Sequence, residues 1–150
     1  MKKLIYIFSI LLFISCSSND DYGTPNENDP NQVTNLYGDI VTDLPVDMWL
    51  VTSFENQGED QTQNFESFQF DFDVQGNVIG QNDLFSESGT WNYSERVSNE
   101  ESETLTLDFN ETEPFDALSE TWDIISASET TVVLEYNSNS ISKSLTFTKE

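Results

Sequence analysis

From residue 48 to residue 150 the apolar side chains recur at every second position, and this period decides the fold class. Phe68, Phe70, Phe72 and Val74 alternate with Gln69, Asp71 and Asp73. Successive side chains of a strand point to opposite faces, so this stretch reads as a strand with one apolar and one acidic face. The same rhythm runs through Trp49–Phe54, Val78–Gly80, Gly89–Tyr93, Leu105–Phe109, Trp122–Ile124, Val132–Tyr136 and Leu145–Phe147. Gln75-Gly76-Asn77 is a hairpin signal, and the acid-rich stretch from Ser98 to Ser102 and Asn137-Ser138-Asn139-Ser140 read as solvated turns. Pro114-Phe115-Asp116-Ala117-Leu118 breaks the rhythm and predicts one helical turn with proline near its start. About eight short strands joined by short turns predict an all-β, antiparallel up-and-down meander. Closing such a sheet into a barrel removes its exposed edges. With eight strands the interior just accommodates side chains or one small ligand.

The N-terminal residues have a different character. Lys2 and Lys3 precede an apolar run from Leu4 to Ile14 that only Ser9 interrupts. A bilayer span needs about 20 apolar residues, so the run is too short to cross and has the layout of a signal peptide. Phe13-Ile14-Ser15-Cys16 follows. It resembles the bacterial lipobox, in which a peptidase removes the leader and the cysteine carries acyl chains, palmitate among them. The family usually has leucine where this chain has Phe13. The resemblance implies cleavage of residues 1–15, lipid attachment at Cys16 and contact with a lipid bilayer through that residue. Several acyl chains on one residue suffice for stable anchoring. Cys16 is the only cysteine, so it has no disulfide partner within the chain.

Residues 16–47 read as a lipidated, acidic, flexible tether. Asn19-Asp20-Asp21 and Thr24-Pro25-Asn26-Glu27-Asn28-Asp29-Pro30 offer little apolar surface to offset the entropy of ordering. The stretch from Leu36 to Val46 can touch the following domain, while Pro45 and scattered acids argue against a long regular element. Ser17, Ser18, Asp20 and Asp21 resemble the acidic export signal of Bacteroidota lipoproteins, which implies the cell envelope, the outer membrane and its outer face. Loss of the leader would leave three basic residues, Arg96, Lys143 and Lys149, against 28 acidic ones, a formal charge of −25. That field repels nucleic acid and anionic headgroups, so no nucleic-acid partner is expected.

The order of signals in residues 48–150 carries a further resemblance. Trp49 is followed by Phe68-x-Phe70-x-Phe72, Gly76, Gly89-Thr90-Trp91, Leu105-x-Leu107-x-Phe109, Pro114-Phe115, Leu118, Trp122 and Leu145-x-Phe147-x-Lys149. This set resembles the lipocalin-like lipoproteins of Bacteroidota and implies a calycin-type barrel. The wider lipocalin pattern has a glycine where this chain has Asp47.

The residues exclude more chemistry than they suggest. The chain has no histidine, and its cysteine is assigned to the anchor, so no Ser-His-Asp or Cys-His arrangement can be built and zinc lacks its usual ligands. No catalytic residue, cofactor or metal site is expected. Asp71-Phe72-Asp73-Val74-Gln75-Gly76 mimics the start of a calcium loop, but the twelfth position is Asn82, where a bidentate Glu is needed. The residues suited to a ligand are aromatic: Phe68, Phe70, Phe72, Trp91, Tyr93, Phe109, Trp122 and Tyr136. They either line a pocket for a small hydrophobic or aromatic molecule or fill the barrel. A binding module and a solid barrel that docks on an envelope protein partner therefore both stand. Cys16→Ser is expected to abolish labelling by radioactive palmitate; unchanged labelling would refute the anchor.

Overall fold

The computed structural model describes residues 37, 39–99 and 101–150. The leader, Cys16 and the tether as far as residue 36 lie outside the described residues. Among the described residues nine strands follow a short helix: β1 Trp49–Asn56, β2 Glu59–Asp60, β3 Gln69–Phe72, β4 Asn77–Gln81, β5 Ser86–Ser94, β6 Thr104–Phe109, β7 Thr121–Ala127, β8 Thr131–Ser138 and β9 Ile141–Lys149. Each strand from β3 to β9 pairs antiparallel with the next, and β1 pairs with both β3 and β9. The result is a closed, eight-stranded antiparallel barrel, as the alternation predicts, with β2 an extra short strand paired to the end of β1.

Closure depends on β1 and β9, which pair from Trp49↔Lys149 to Asn56↔Lys143. The register shifts between Val51 and Ser53, and this bulge moves the inward set from Trp49 and Val51 to Phe54. A second shift between Ile124 and Ser126 has the same effect on β7: the inward set passes from Trp122 and Ile124 to Ala127, and both Ile125 and Ser126 are exposed. Val74 departs from the expected apolar face and is 75% exposed, because β3 ends at Phe72. The Asp73 carboxylate accepts from the Gln75 and Asn77 amides at 2.9 and 2.8 Å and from the Asn77 side chain at 2.7 Å. Gly76, at φ 88°, completes that turn.

Both ends of the barrel are plugged. At one end the helix α1, Ile40–Asp43, continues into a 3₁₀ turn, Leu44–Val46. Ile40 and Leu44 lie in the core, so residues 40–46 belong to the barrel although their sequence places them in the tether. The Trp49 indole N–H donates to the Leu44 carbonyl at 2.9 Å. Asp47, at the position of the missing glycine, pairs with Lys149 at 3.3 Å, and the Lys149 ammonium lies 5.4 Å from the centroid of the Trp49 ring. At the other end a 3₁₀ turn, Phe115–Leu118, buries Phe115 and Leu118 completely. It is held by Trp122 Nε1 donating to the Leu118 carbonyl at 3.0 Å and by Lys143, which donates to the Ala117 carbonyl and to Glu120 at 3.1 and 2.6 Å.

Phe115 is the centre of the aromatic packing. Its ring lies 4.9 to 6.2 Å from those of Phe65, Phe68, Phe70, Phe85 and Phe109. Gly80 makes room for it, since a Cβ there would stand 2.1 Å from a Phe115 ring carbon. Phe115→Ala is expected to lower unfolding free energy by about 3–5 kcal/mol, and Gly80→Ala by about 1–3 kcal/mol through overpacking. Urea unfolding checks both; a neutral Gly80→Ala would show that the ring moves aside without cost.

Candidate functional site

The structure divides the aromatic set. Phe70, Phe72, Trp91, Phe109 and Trp122 are buried, and Phe68, Tyr93 and Tyr136 are partly buried against the core. Phe70 and Phe72 meet Phe147 at 5.3 and 5.7 Å, Phe70 meets Phe109 at 6.3 Å, and Phe72 meets Trp91 at 6.0 Å. These rings pack against one another, mostly edge to face, in the arrangement their quadrupoles favour. They belong to the buried core of the barrel.

Trp91 and Tyr93 are brought together beside a surface cleft. It holds about 270 Å³ and is also lined by Val41, Val74, Gln75 and Asn92. The sequence places Trp91 and Tyr93 on one side of β5 by their spacing, and the structure agrees. Trp91 is fixed by its indole N–H, which donates to the Asp73 carbonyl at 2.9 Å. Tyr93 donates to the Glu103 carboxylate at 2.7 Å, and the same oxygen accepts the Tyr37 amide at 2.8 Å. Tyr37 in turn donates its hydroxyl to the Ile125 carbonyl at 2.8 Å. Glu103 is the one buried acidic side chain among the described residues. Burial, followed by the hydrogen bond and charge of Glu103, raises the Tyr93 phenol well above the ordinary tyrosine range. The network joins Tyr37, at the start of the described chain, to β5 and β7.

Two larger depressions lie elsewhere. A groove of about 610 Å³ runs along the outer face beside Leu50, Phe68, Gln69, Gln81 and Leu84. A cleft of about 550 Å³ separates Gln61 and Asn64 from Glu113, Pro114 and Asp116. Sequence reasoning missed Leu50 and Leu84. The available signal was Asn82-Asp83-Leu84-Phe85, an apolar pair in a segment whose neighbours mark a turn. Among the described residues no group of three or more acidic, histidine or cysteine side chains is arranged to hold a metal ion. Asp73, within the calcium-like motif, serves the hairpin turn. Its bonds to Asn77 hold its carboxyl below the usual range.

No protein-family model and no curated protein matches the chain. Among solved structures it is similar to a DUF4847 family protein from Bacteroides vulgatus ATCC 8482, with a TM-score of 0.52 and 14% identity over 74% of this chain and 97% of that one. At this identity the likeness is one of fold. The two chains share the barrel architecture, and the neighbour comes from the bacterial group that the resemblance in residues 48–150 names.

The Tyr93 network gives a pH prediction. A phenol whose folded pKa exceeds its unfolded value of about 10 adds stability that is complete below that value and fades as pH rises toward the folded pKa. Tyr93→Phe leaves Glu103 short of one donor and is expected to cost about 1–3 kcal/mol at neutral pH. Its penalty should shrink above pH of about 10. Urea titrations across pH test this, and a penalty that grows with pH would reverse the assignment.

Proposed function

We propose that this chain is a lipid-anchored, lipocalin-like protein of the bacterial outer membrane whose barrel is a solid, non-catalytic interaction module. The observation that carries the reading is the complete burial of large aromatic side chains inside the barrel. Trp49, Phe54, Phe70, Trp122 and Phe147 are fully buried between an α1 plug and a Phe115 plug. A barrel that holds a ligand keeps its inward surface free, whereas here the aromatic rings take up that volume. What remains for recognition is the outside of the barrel. The lipobox-like Phe13-Ile14-Ser15-Cys16 and the acidic residues after it support the anchor and the envelope location. No helix among the described residues is long and apolar enough to cross a membrane. The lack of histidine and the assignment of the sole cysteine to lipid support a role without nucleophilic catalysis.

A second reading has one observation in its favour. The cleft beside Trp91 and Tyr93 offers an aromatic edge to a small apolar or aromatic molecule. Its volume lies just below the range of about 300–1,000 Å³ usual for ligand pockets.

The three tryptophans separate the readings, because Trp49 and Trp122 report the interior and Trp91 the cleft. The unsubstituted chain and its Trp91→Phe variant, which keeps both plug indoles, are titrated with palmitate and an aromatic probe. A solid barrel gives no saturable change at Trp49 or Trp122. A saturable response at either would return the ligand to the interior and sink the proposal, while a response confined to Trp91 favours the cleft.

A further inference from the structure

The most exposed apolar side chain among the described residues is Leu84, at 96% of its full surface. It does not sit on a loose loop. Asn82 Oδ1 accepts the amides of Leu84 and Phe85, both at 2.9 Å, and the Asn82 amide donates to the Phe85 carbonyl at 2.9 Å. The Asn82 side-chain nitrogen donates to Ser67 Oγ at 3.1 Å, tying the turn to the neighbouring segment. Phe85 stacks on Phe115 at 6.1 Å and meets Phe68 edge to face at 6.3 Å. The turn is therefore fastened to the plug of the barrel, and it holds a leucine out into water. An apolar side chain fixed in that position is pre-organised for a contact.

Leu84 overlooks the groove of about 610 Å³ on the outer face. Its floor is a cross-strand row, Leu50↔Gln69↔Gln81, on adjacent strands of the barrel. Phe68 and Leu50 supply further apolar surface, and Glu66, Asp83 and Glu150 supply carboxylates. Glu150 accepts from the Gln69 side chain at 2.6 Å. No lysine or arginine is among the groove's lining residues.

Charge selects the occupant. A second copy of this chain would bring a strongly acidic surface to an acidic rim, and the chain's own residues 16–36 carry acids and no base. An anionic headgroup is repelled for the same reason. A cationic segment with an apolar side chain suits both features of the groove. We propose that this groove docks a basic peptide segment of an envelope protein, with one apolar side chain against Leu84 and Phe68 and Lys or Arg side chains facing Glu66, Asp83 and Glu150. The inference rests on the reading of the barrel as an interaction module and names the surface and the partner chemistry of that module.

The test uses the full chain in neutral phosphatidylcholine vesicles, with empty vesicles as blank, and a fluorescein-labelled peptide of alternating leucine and lysine. Fluorescence anisotropy should show saturable binding that the glutamate-for-lysine analogue lacks. Leu84→Ser, at a position in solvent, should weaken it about ten-fold, and so should Glu66→Gln combined with Asp83→Asn. Glu129→Gln with Glu135→Gln removes equal charge elsewhere and should change affinity less than about two-fold. Equal losses from the two charge pairs, or indifference to Leu84→Ser, would reduce the attraction to the general field and overturn the proposal. So would self-association of the chain that Leu84→Ser abolishes, which would assign the groove to a second copy. Absence of peptide binding with Trp49 and Trp122 silent to palmitate overturns the groove alone. A response of those tryptophans overturns the solid barrel and the groove with it.

Discussion

Pairing of β1 with β9 is the constraint on which the rest of the molecule depends. It turns a meander with two open edges into a closed surface, and it commits every inward residue to one shared interior. Eight strands enclose little more than a column of side chains. Once Trp49, Phe54, Phe70, Phe72, Trp122 and Phe147 point inward, that column is occupied. Each buried aromatic adds roughly 1.5–3 kcal/mol of transfer free energy, and mutual edge-to-face contacts add to it. An empty pocket would give up part of both contributions. The barrel is thus stabilised by the same side chains that face its interior.

The closed wall then requires something at each end, since an open mouth would leave the outermost rings in water. The two plugs solve this with the same chemistry. At the α1 end, Leu44 is anchored through its carbonyl by the Trp49 indole, and Lys149 covers that indole while pairing with Asp47. At the other end, Leu118 is anchored by the Trp122 indole, and Lys143 bridges the turn to Glu120 while lying 5.7 Å from the centroid of the Tyr136 ring. Each plug therefore combines a backbone carbonyl, an indole donor and a lysine. The two lysines of the described chain are both committed to these ends, which leaves the acidic outer wall with little internal compensation.

The barrel was legible because a strand exposed on one side writes its alternation directly into sequence, as Phe68-x-Phe70-x-Phe72 and Leu105-x-Leu107-x-Phe109 do. Features that obey no period were not legible. The bulges near Thr52 and Ile125 shift the inward set by one residue, and only the pairing with β9 and β8 reveals where. Ile40 and Leu44 are four apart, a single helical repeat too brief to separate from chance among the acids around them. Phe65 and Phe115 lie outside the alternating runs, so their place at the plug follows from tertiary packing alone. For the aromatic candidates, the alternation shows which side chains share a face but cannot decide between lining a cavity and filling it. That choice turns on whether inward rings meet across the barrel, which is a distance and not a pattern.

For a barrel that acts through its outside, a strongly acidic wall makes recognition a matter of electrostatics and a few apolar contacts. Exposed ion pairs contribute little individually, so an acidic wall alone attracts cations without choosing among them. Selectivity needs an apolar contact at a fixed place within that field. The Asn82 turn provides one, because its hydrogen bonds fix the backbone that carries Leu84 and so lower the ordering cost when a partner arrives. The rigidity of the packed core then has a use beyond stability. Phe85 and Phe68 join the Phe115 plug to the rim of the groove, so the packed rings of the plug support the surface beside Leu84.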